Sequence, residues 1–237
     1  IIRSIATDDD FKLRNAATVN KADPMQSATG TTGKMETQEL VMYIGDLILA
    51  RTHMFTMADT SEFYIYTDGV FTPDTAKSQI KELIRRRTEE YYSMVGCPKT
   101  ASKYFVSECI DYIESRTHIS RESLDVLWRE SDFINFKNGM YKLSTRTLLP
   151  HAPEFFSIVQ FPVIFDPAAT CPEIDRFLQS CGLDDGNIAT LTEFAGLCLT
   201  PDVSFEKALL LHGTGSNGKT VVLNLLKTII GRANFSS

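Results

Sequence analysis

Phe133-Ile-Asn-Phe-Lys-Asn-Gly-Met-Tyr-Lys-Leu143 sets aromatic and aliphatic residues on both sides of Asn138-Gly139. An Asn-Gly pair between two short apolar runs is the strongest local signal of an antiparallel hairpin. Leu148-Leu149, after a turn at 144–147, adds a third strand. A second segment, Phe63-Tyr-Ile-Tyr-Thr-Asp-Gly-Val-Phe71, repeats the pattern around Asp68-Gly69. Helical periods surround both hairpins. Thr37 to Arg51 carries Leu40, Val41, Ile44, Leu47 and Ile48 on one face. Thr72-Pro73 reads as N-cap and first residue of a helix running to about Val95, with Ile80, Leu83, Ile84 and Tyr91 on one side. Gly96 and Pro98 break it. A further helix spans about Ala101 to Arg116, burying Phe105, Cys109, Tyr112 and Ile113, and a short one with Leu124 and Leu127 follows Ser120. Small antiparallel hairpins in a mostly helical chain define an α+β fold, winged-helix-like around the basic helices and Phe133 to Leu149.

Composition sets the outer bounds. Of 237 residues, 43% are hydrophobic and 23% charged, the balance of an ordinary globular chain. Collagen-like, coiled-coil and wholly disordered classes are excluded. No apolar run approaches the roughly 20 residues of a membrane helix; the best, Leu40 to Ala50, is short and contains Asp46. A net charge of −6 and a pI near 5.3 argue against a protein basic over its whole surface. The chain starts at Ile1 with no signal segment, so it reads as a piece of a longer, cytoplasmic protein. Five cysteines form no C-x-x-C pair and are odd in number, which fits reduced, buried thiols. Four scattered histidines give no argument for a metal site.

Four stretches follow from changes in composition. Residues 1–35 lack a sustained period and form a linker or arm; a Gly-Thr-Thr-Gly-Lys string at 30–34 lacks the flanking strand and helix of a phosphate loop. Residues 36–150 form a helical, collar-like domain with hairpins. Residues 151–204 connect it onward: an extended run between Pro150 and Pro172 holds five of the nine prolines, then come helices at Glu173 to Cys181 and about Ile188 to Leu199, with Gly182 suited to a C-cap. Residues 205–237 begin a second, α/β domain.

That last stretch carries the informative motif. Lys207-Ala-Leu-Leu-Leu211 has the form of a buried parallel strand. It leads into Gly213-Thr-Gly-Ser-Asn-Gly-Lys-Thr220, which satisfies G-x-x-x-x-G-K-[ST] at every fixed position. An apolar helical run, Val221 to Ile230, closes on Gly231. Each residue type has a reason. Glycines at 213, 215 and 218 let backbone N–H groups turn inward around phosphates. The next helix aims its free N–H groups and positive dipole end at them. Lys219 adds a charge on the β and γ phosphates, and the Thr220 hydroxyl suits a Mg²⁺ ligand. ATP with Mg²⁺ is therefore the expected ligand. Only 17 residues follow Thr220. The acidic Mg²⁺ strand, the water-positioning group and the neighbour's arginine of such ATPases have no room in them. The chain alone is expected not to hydrolyse ATP appreciably.

The hairpin segment and its continuation, Pro150-His151-Ala-Pro-Glu154, resemble the I-N-x-x-N-G-x-x-x-L … L-x-P-H-x-P segment of viral, phage and plasmid primase-helicases. Phe161-Pro-Val-Ile-Phe-Asp-Pro167, Cys171-Pro172 and Phe177-Leu178 continue it, and the loop at 209–220 is similar to that family's Gly-x-Gly-x-Asn-Gly-Lys-[Ser/Thr]. The resemblance, to poxvirus-type primase-helicases with a superfamily 3 motor, covers about Thr37 to Gly231. It implies an ATP-driven helicase at replication forks, bound to single-stranded or forked DNA and assembled as a ring, commonly a hexamer. No membrane partner is implied. The phosphate-loop roles carry over to Gly213, Gly215, Asn217, Gly218, Lys219 and Thr220.

Lys77, Lys81, Arg85, Arg86, Arg87, Lys99 and Lys103 form a second candidate, a DNA-facing surface. Across 76–103 seven basic residues face three acidic ones, a local net of +4. The plainer reading is a solvated helix face, because Glu82/Arg86 and Arg86/Glu90 have the spacing of surface ion pairs. Tyr91, Tyr92 and Tyr104 read as core. Two alternatives to the helicase stay open: a non-enzymatic collar or DNA-docking module, and a different P-loop NTPase switch.

Overall fold

The computed structural model describes residues 36–129, 131–200, 205–213, 215 and 217–235. The arm expected over 1–35 lies outside them. The chain divides into two compact units, the first ending at Asp125 and the second beginning at Val126. Among the described residues, seven α-helices and two small sheets make an α+β protein.

The first unit opens with α1 (Thr37–Arg51), the helix that the sequence predicts. Its buried residues Leu40, Ile44, Leu47 and Ile48 recur at three- and four-residue spacing. A capping box between Glu36 and Glu39 starts it. Strands β1 (Met54–Met57), β2 (Phe63–Thr67) and β3 (Val70–Pro73) follow. Thr67 lies opposite Val70, so Asp68 and Gly69 are the two turn residues. Both have positive φ, 52° and 89°. That is the turn whose twist matches a hairpin. After α2 (Ser78–Met94) and α3 (Lys103–Thr117), strand β4 (His118–Ile119) joins β1 in parallel, giving the order β3-β2-β1-β4. The two intervening helices supply the long crossover that a parallel pair requires.

Thr72 and Pro73 do not start α2. They close β3, where Pro73 sits at the end of an edge strand and its missing N–H costs nothing. The start is organised by Asp74, which is buried. Its carboxylate accepts from the N–H groups of Gln79 and Ile80, each at 2.9 Å, and from the Ser78 hydroxyl at 3.1 Å. A carboxylate on free N–H groups at a helix start is favourable both as a hydrogen bond and against the dipole.

The core of this unit gathers Leu40, Ile44 and Ile48 of α1, Phe63 of β2, Ile80 and Ile84 of α2, and Phe105, Cys109 and Ile113 of α3. Tyr91 joins it and Tyr92 packs against it, as expected, whereas Tyr104 is 70% exposed. Helices α1 and α3 meet where α1 has no side chain. A methyl group on Gly45 would lie 2.3 Å from Cδ1 of Tyr112. The Tyr112 hydroxyl donates to Asp46 at 2.8 Å, and the Arg116 guanidinium lies 4.7 Å from the ring centroid.

Helix α4 (Arg121–Arg129) spans the division. Strands β5 (Phe133–Phe136), β6 (Gly139–Lys142) and β7 (Thr147–Leu149) then form an antiparallel meander. The hairpin is where the sequence predicts it, but its turn is one residue earlier. Phe136 pairs with Gly139, so Lys137 and Asn138 make the turn. Two contacts impose this. The Asn138 amide donates to the Phe165 carbonyl and accepts from its N–H, both at 2.9 Å. Gly139 is needed in the ladder, because a methyl group there would lie 2.5 Å from the Leu149 carbonyl oxygen. The proline-rich stretch runs beside β5, with Phe161 N–H bonded to Asn135 O and Lys137 N–H to Val163 O. Three helices complete the unit: α5 (Pro172–Ser180), α6 (Asp185–Leu197) and α7 (Lys219–Ile230).

The segments that the winged-helix-like reading drew together fall in different units: the basic helices α2 and α3 belong to the first, with their apolar faces covered by α1 and the β1–β2 strands, and the Phe133–Leu149 hairpins belong to the second. The strand expected at the start of the last stretch needs correction. No strand forms at 207–211. A strand exists only with a ladder partner, and the described residues offer none there. Leu209 and Leu211 instead pack beside α5, α6 and α7, while Leu210 is 88% exposed.

Gly45→Ala is expected to lower unfolding stability by about 1–3 kcal/mol through overpacking against Tyr112, measured as a lower urea midpoint at unchanged slope. The pH dependence has a definite sign. Burial, and for Tyr112 also the hydrogen bond to Asp46, pushes both the Tyr112 hydroxyl and the Cys109 thiol up to about 12. The native state therefore keeps protons that the unfolded chain loses at lower pH. This contribution is complete below the unfolded-state values and is lost as pH rises toward about 12. A thermal midpoint that stays flat through alkaline pH in wild type, or falls equally in a Tyr112→Phe, Cys109→Ala double variant, would contradict it.

Candidate functional site

The phosphate-loop motif lies at the N-terminus of α7. Gly218 caps that helix from the left-handed region, φ 81°, and Gly215 has φ 113°. Both are conformations that side-chain-bearing residues rarely adopt. Lys219, the first helical residue, folds its ammonium back over the loop, donating to the Gly213 carbonyl at 3.1 Å and to the Asn217 side-chain oxygen. The Asn217 amide lies so close over Gly213 that a methyl group there would sit 1.7 Å from its Nδ2. Thr220 is exposed one residue into the helix. Val222 N–H bonds back to Gly218 O, so the N–H groups of the preceding helical residues have no partner within the helix. The five residues Gly213, Asn217, Gly218, Lys219 and Thr220 thus form one local constellation: a donor-rich helix start with a lysine ammonium held across it. Chemically this arrangement suits an anion.

Within the basic stretch several cations have local partners. Lys77 pairs with Glu114, and its ammonium lies 5.3 Å from the Phe63 ring centroid. Arg87 pairs with Glu90 at 2.7 Å and Arg86 approaches the same carboxylate at 4.0 Å. Lys81 donates to the Ala76 carbonyl at 2.8 Å. Arg85, Lys99 and Lys103 are exposed, as is Tyr104 beside them in sequence. The sequence flags the Arg86/Glu90 pair by its spacing; the Lys77–Glu114 pair joins residues 37 positions apart and carries no such signal.

His151 is not an isolated imidazole. Its Nε2 lies 3.1 Å from Asn135 Oδ1 and 2.9 Å from the Phe136 carbonyl, both acceptors, so Nε2 carries the proton. Asn135 is itself buried and donates to Ser157 at 3.0 Å. This link ties the β5 strand to the segment after β7. Among the described residues, no group of three or more His, Cys, Asp or Glu side chains could hold a metal ion, and no helix is long and apolar enough to cross a membrane.

An α+β chain of two units, with a three-stranded meander leading through two helices to a glycine-rich loop, is the class defined by this geometry. Compared with known families, residues 46–181 match the family described as D5 N terminal like. That match covers more than half of the 237 residues, and the chain belongs to this family, the N-terminal region of D5-like primase-helicase proteins. Among curated proteins no significant match was found. The matched segment runs from α1 through the last residue of α5 to Cys181, so it contains the hairpins and the His151 link; the glycine-rich loop follows it.

Lys77→Met is expected to destabilise the first unit, since it leaves the half-buried Glu114 carboxylate unpaired, at a cost of about 1–3 kcal/mol. Lys103→Met, at an exposed position, should fall within about 0.5 kcal/mol of wild type. Chemical denaturation of the two variants side by side separates them, and equal midpoints would remove the structural role assigned to Lys77.

Proposed function

We propose that this chain is the part of an ATP-dependent replicative DNA helicase, of the primase-helicase kind, that precedes and enters the motor. Residues 36–200 would be the collar-like, pre-motor region, and 205–237 the opening of a P-loop ATPase domain of superfamily 3 type. One observation carries the reading: a full G-x-x-x-x-G-K-T sequence lies at the start of an α-helix, with its lysine ammonium over the loop, about thirty residues beyond a D5 N terminal like segment. Family membership supports a replicative context; the motor assignment rests on the loop.

In this reading the N–H groups at the start of α7 and the Lys219 ammonium bind the β and γ phosphates of ATP. Lys219 exchanges the Gly213 carbonyl and Asn217 for phosphate oxygens, a stronger, charge-assisted partnership. Mg²⁺, where bound, would take the Thr220 hydroxyl and neutralise phosphate charge. The apolar residues left exposed around the loop, Leu210, Val221 and Leu223, fit a surface that further strands and helices of an α/β domain would cover. DNA, single-stranded or forked, is the proposed partner, with Arg85, Lys99 and Lys103 as the basic residues best placed to meet phosphates. A ring, commonly of six subunits, is the proposed assembly.

The test is ATP turnover by the full-length protein, with and without single-stranded DNA, beside Lys219→Ala. Turnover stimulated by DNA is expected, and the variant should lose at least about a hundredfold, as removal of a preorganised charge at a transferring phosphoryl group does. Turnover indifferent to DNA would favour a nucleotide switch, and turnover intact without Lys219 would sink the phosphate-loop assignment.

A further inference from the structure

Helix α7 is held at both of its ends by glycines that touch the D5-type segment. At its start, a methyl group on Gly218 would lie 2.5 Å from Cys181 Sγ and 2.9 Å from Phe177 Cζ, both at the end of α5. At its end, a methyl group on Gly231 would lie 2.8 Å from Pro162 Cδ, and the Asn234 amide donates to the Gln160 carbonyl at 3.0 Å. Between these points Val222 of α7 is buried in one cluster with Leu178 of α5 and Leu191 of α6. Residues 160, 162, 177 and 181 all lie within the matched 46–181. Gly218 and Gly231 lie beyond it.

The contact at Gly218 has a directional consequence. The Phe177 ring edge and the Cys181 sulfur fill the space that a Cβ at 218 would take, so the peptide at 218 cannot shift toward α5. Gly218 is in the left-handed region with φ 81°. Its backbone sets the direction of the first N–H groups of α7, the donors left without helical partners. A close-packed wall permits one setting of that backbone and excludes others.

We propose that Phe177 and Cys181 are positioning residues for the phosphate loop: the last turn of the D5-type segment forms the wall that aims the first amides of α7 at the phosphates of a nucleoside triphosphate. The inference rests on the phosphate-loop reading above. It makes α5, the last helix of the D5-type segment, and the nucleotide site one mechanical piece within the second unit, in which phosphate binding and the packing of α5 bias each other.

Hydrogen exchange and mant-ATP titration on the full-length protein, both with Mg²⁺, test it. The variants are Phe177→Ala, the conservative Phe177→Leu, Cys181→Ala and Lys219→Ala. Phe177→Ala is expected to speed exchange at the amides of 218–222 by about tenfold, with α1 to α3 unchanged. It should weaken mant-ATP by about tenfold or more, because small misplacements of binding groups are costly. Phe177→Leu should recover most of both effects, and Cys181→Ala should move both in the same direction by less. If wild type binds mant-ATP, Lys219→Ala loses it, and Phe177→Ala and Cys181→Ala alter neither exchange nor affinity, the positioning role is overturned while the phosphate-loop reading stands. If wild type takes no mant-ATP, that reading falls and the positioning role falls with it.

Discussion

A side chain approaches a helix backbone most closely where the helix has no Cβ, and each unit of this protein uses that freedom at a packing contact. In the first, Gly45 lets the Tyr112 ring lie directly on α1. The ring carries a hydroxyl that reaches Asp46 one residue further along and a face that meets Arg116. In the second, Gly218 accepts Phe177 and Cys181, and Gly231 accepts Pro162. A larger residue at any of these points meets atoms already at contact distance. Overpacking of this kind is relieved only by moving backbone, and at Gly218 the backbone in question is the end of the glycine-rich loop, where α7 begins.

Charge follows a different rule. A surface cation offers less to a distant polyanion where a nearby carboxylate already offsets its charge. Within the basic stretch local partners engage several: Glu114 takes Lys77, Glu90 takes Arg87 and approaches Arg86, and the Ala76 carbonyl takes Lys81. Exposed ion pairs contribute little to stability, but they do lower the positive potential that a nucleic acid would feel. The half-buried Lys77–Glu114 pair is the exception, since it joins the turn before α2 to α3 over the Phe63 ring. The count of +4 across 76–103 already includes Glu90, so of these partners only Glu114, which lies outside that stretch, lowers the charge further.

Much of the architecture was readable from local signals. The helix at Thr37–Arg51 and the Asp68-Gly69 hairpin came from periodicity and turn chemistry alone, because each is decided by interactions within a few residues. The readings that failed are those in which a distant partner overrides a local preference. Thr72-Pro73 has the composition of a helix start, yet it pairs with β2 and cedes the start to Asp74. Asn138-Gly139 has the composition of a two-residue turn, yet Phe165 holds the asparagine and Leu149 requires the glycine in the ladder. Lys207 to Leu211 has the composition of a buried strand and finds no ladder among the described residues.

For the candidate site the division is similar. The motif at Gly213 to Thr220 is readable because glycines, a lysine and a hydroxyl at fixed spacing are properties of the chain itself. The Lys219 contact with Gly213 is equally local. What packs behind the loop was not legible. Phe177 and Cys181 are about forty residues from Gly218, on a helix whose amphipathic pattern says only that one face is covered, not by what. The same holds for His151 and Asn135, which stand in one recognisable segment but declare their hydrogen bond only when β5 and the chain after β7 come together. The sequence by itself determined most of which segments turn and which coil, and where the glycine-rich motif stands, since those depend on φ, ψ and side-chain chemistry within a turn or two. Only the tertiary structure decided which of those groups are wedged against others and which are left free, because close packing and ion pairing join residues that nothing in the sequence brings near.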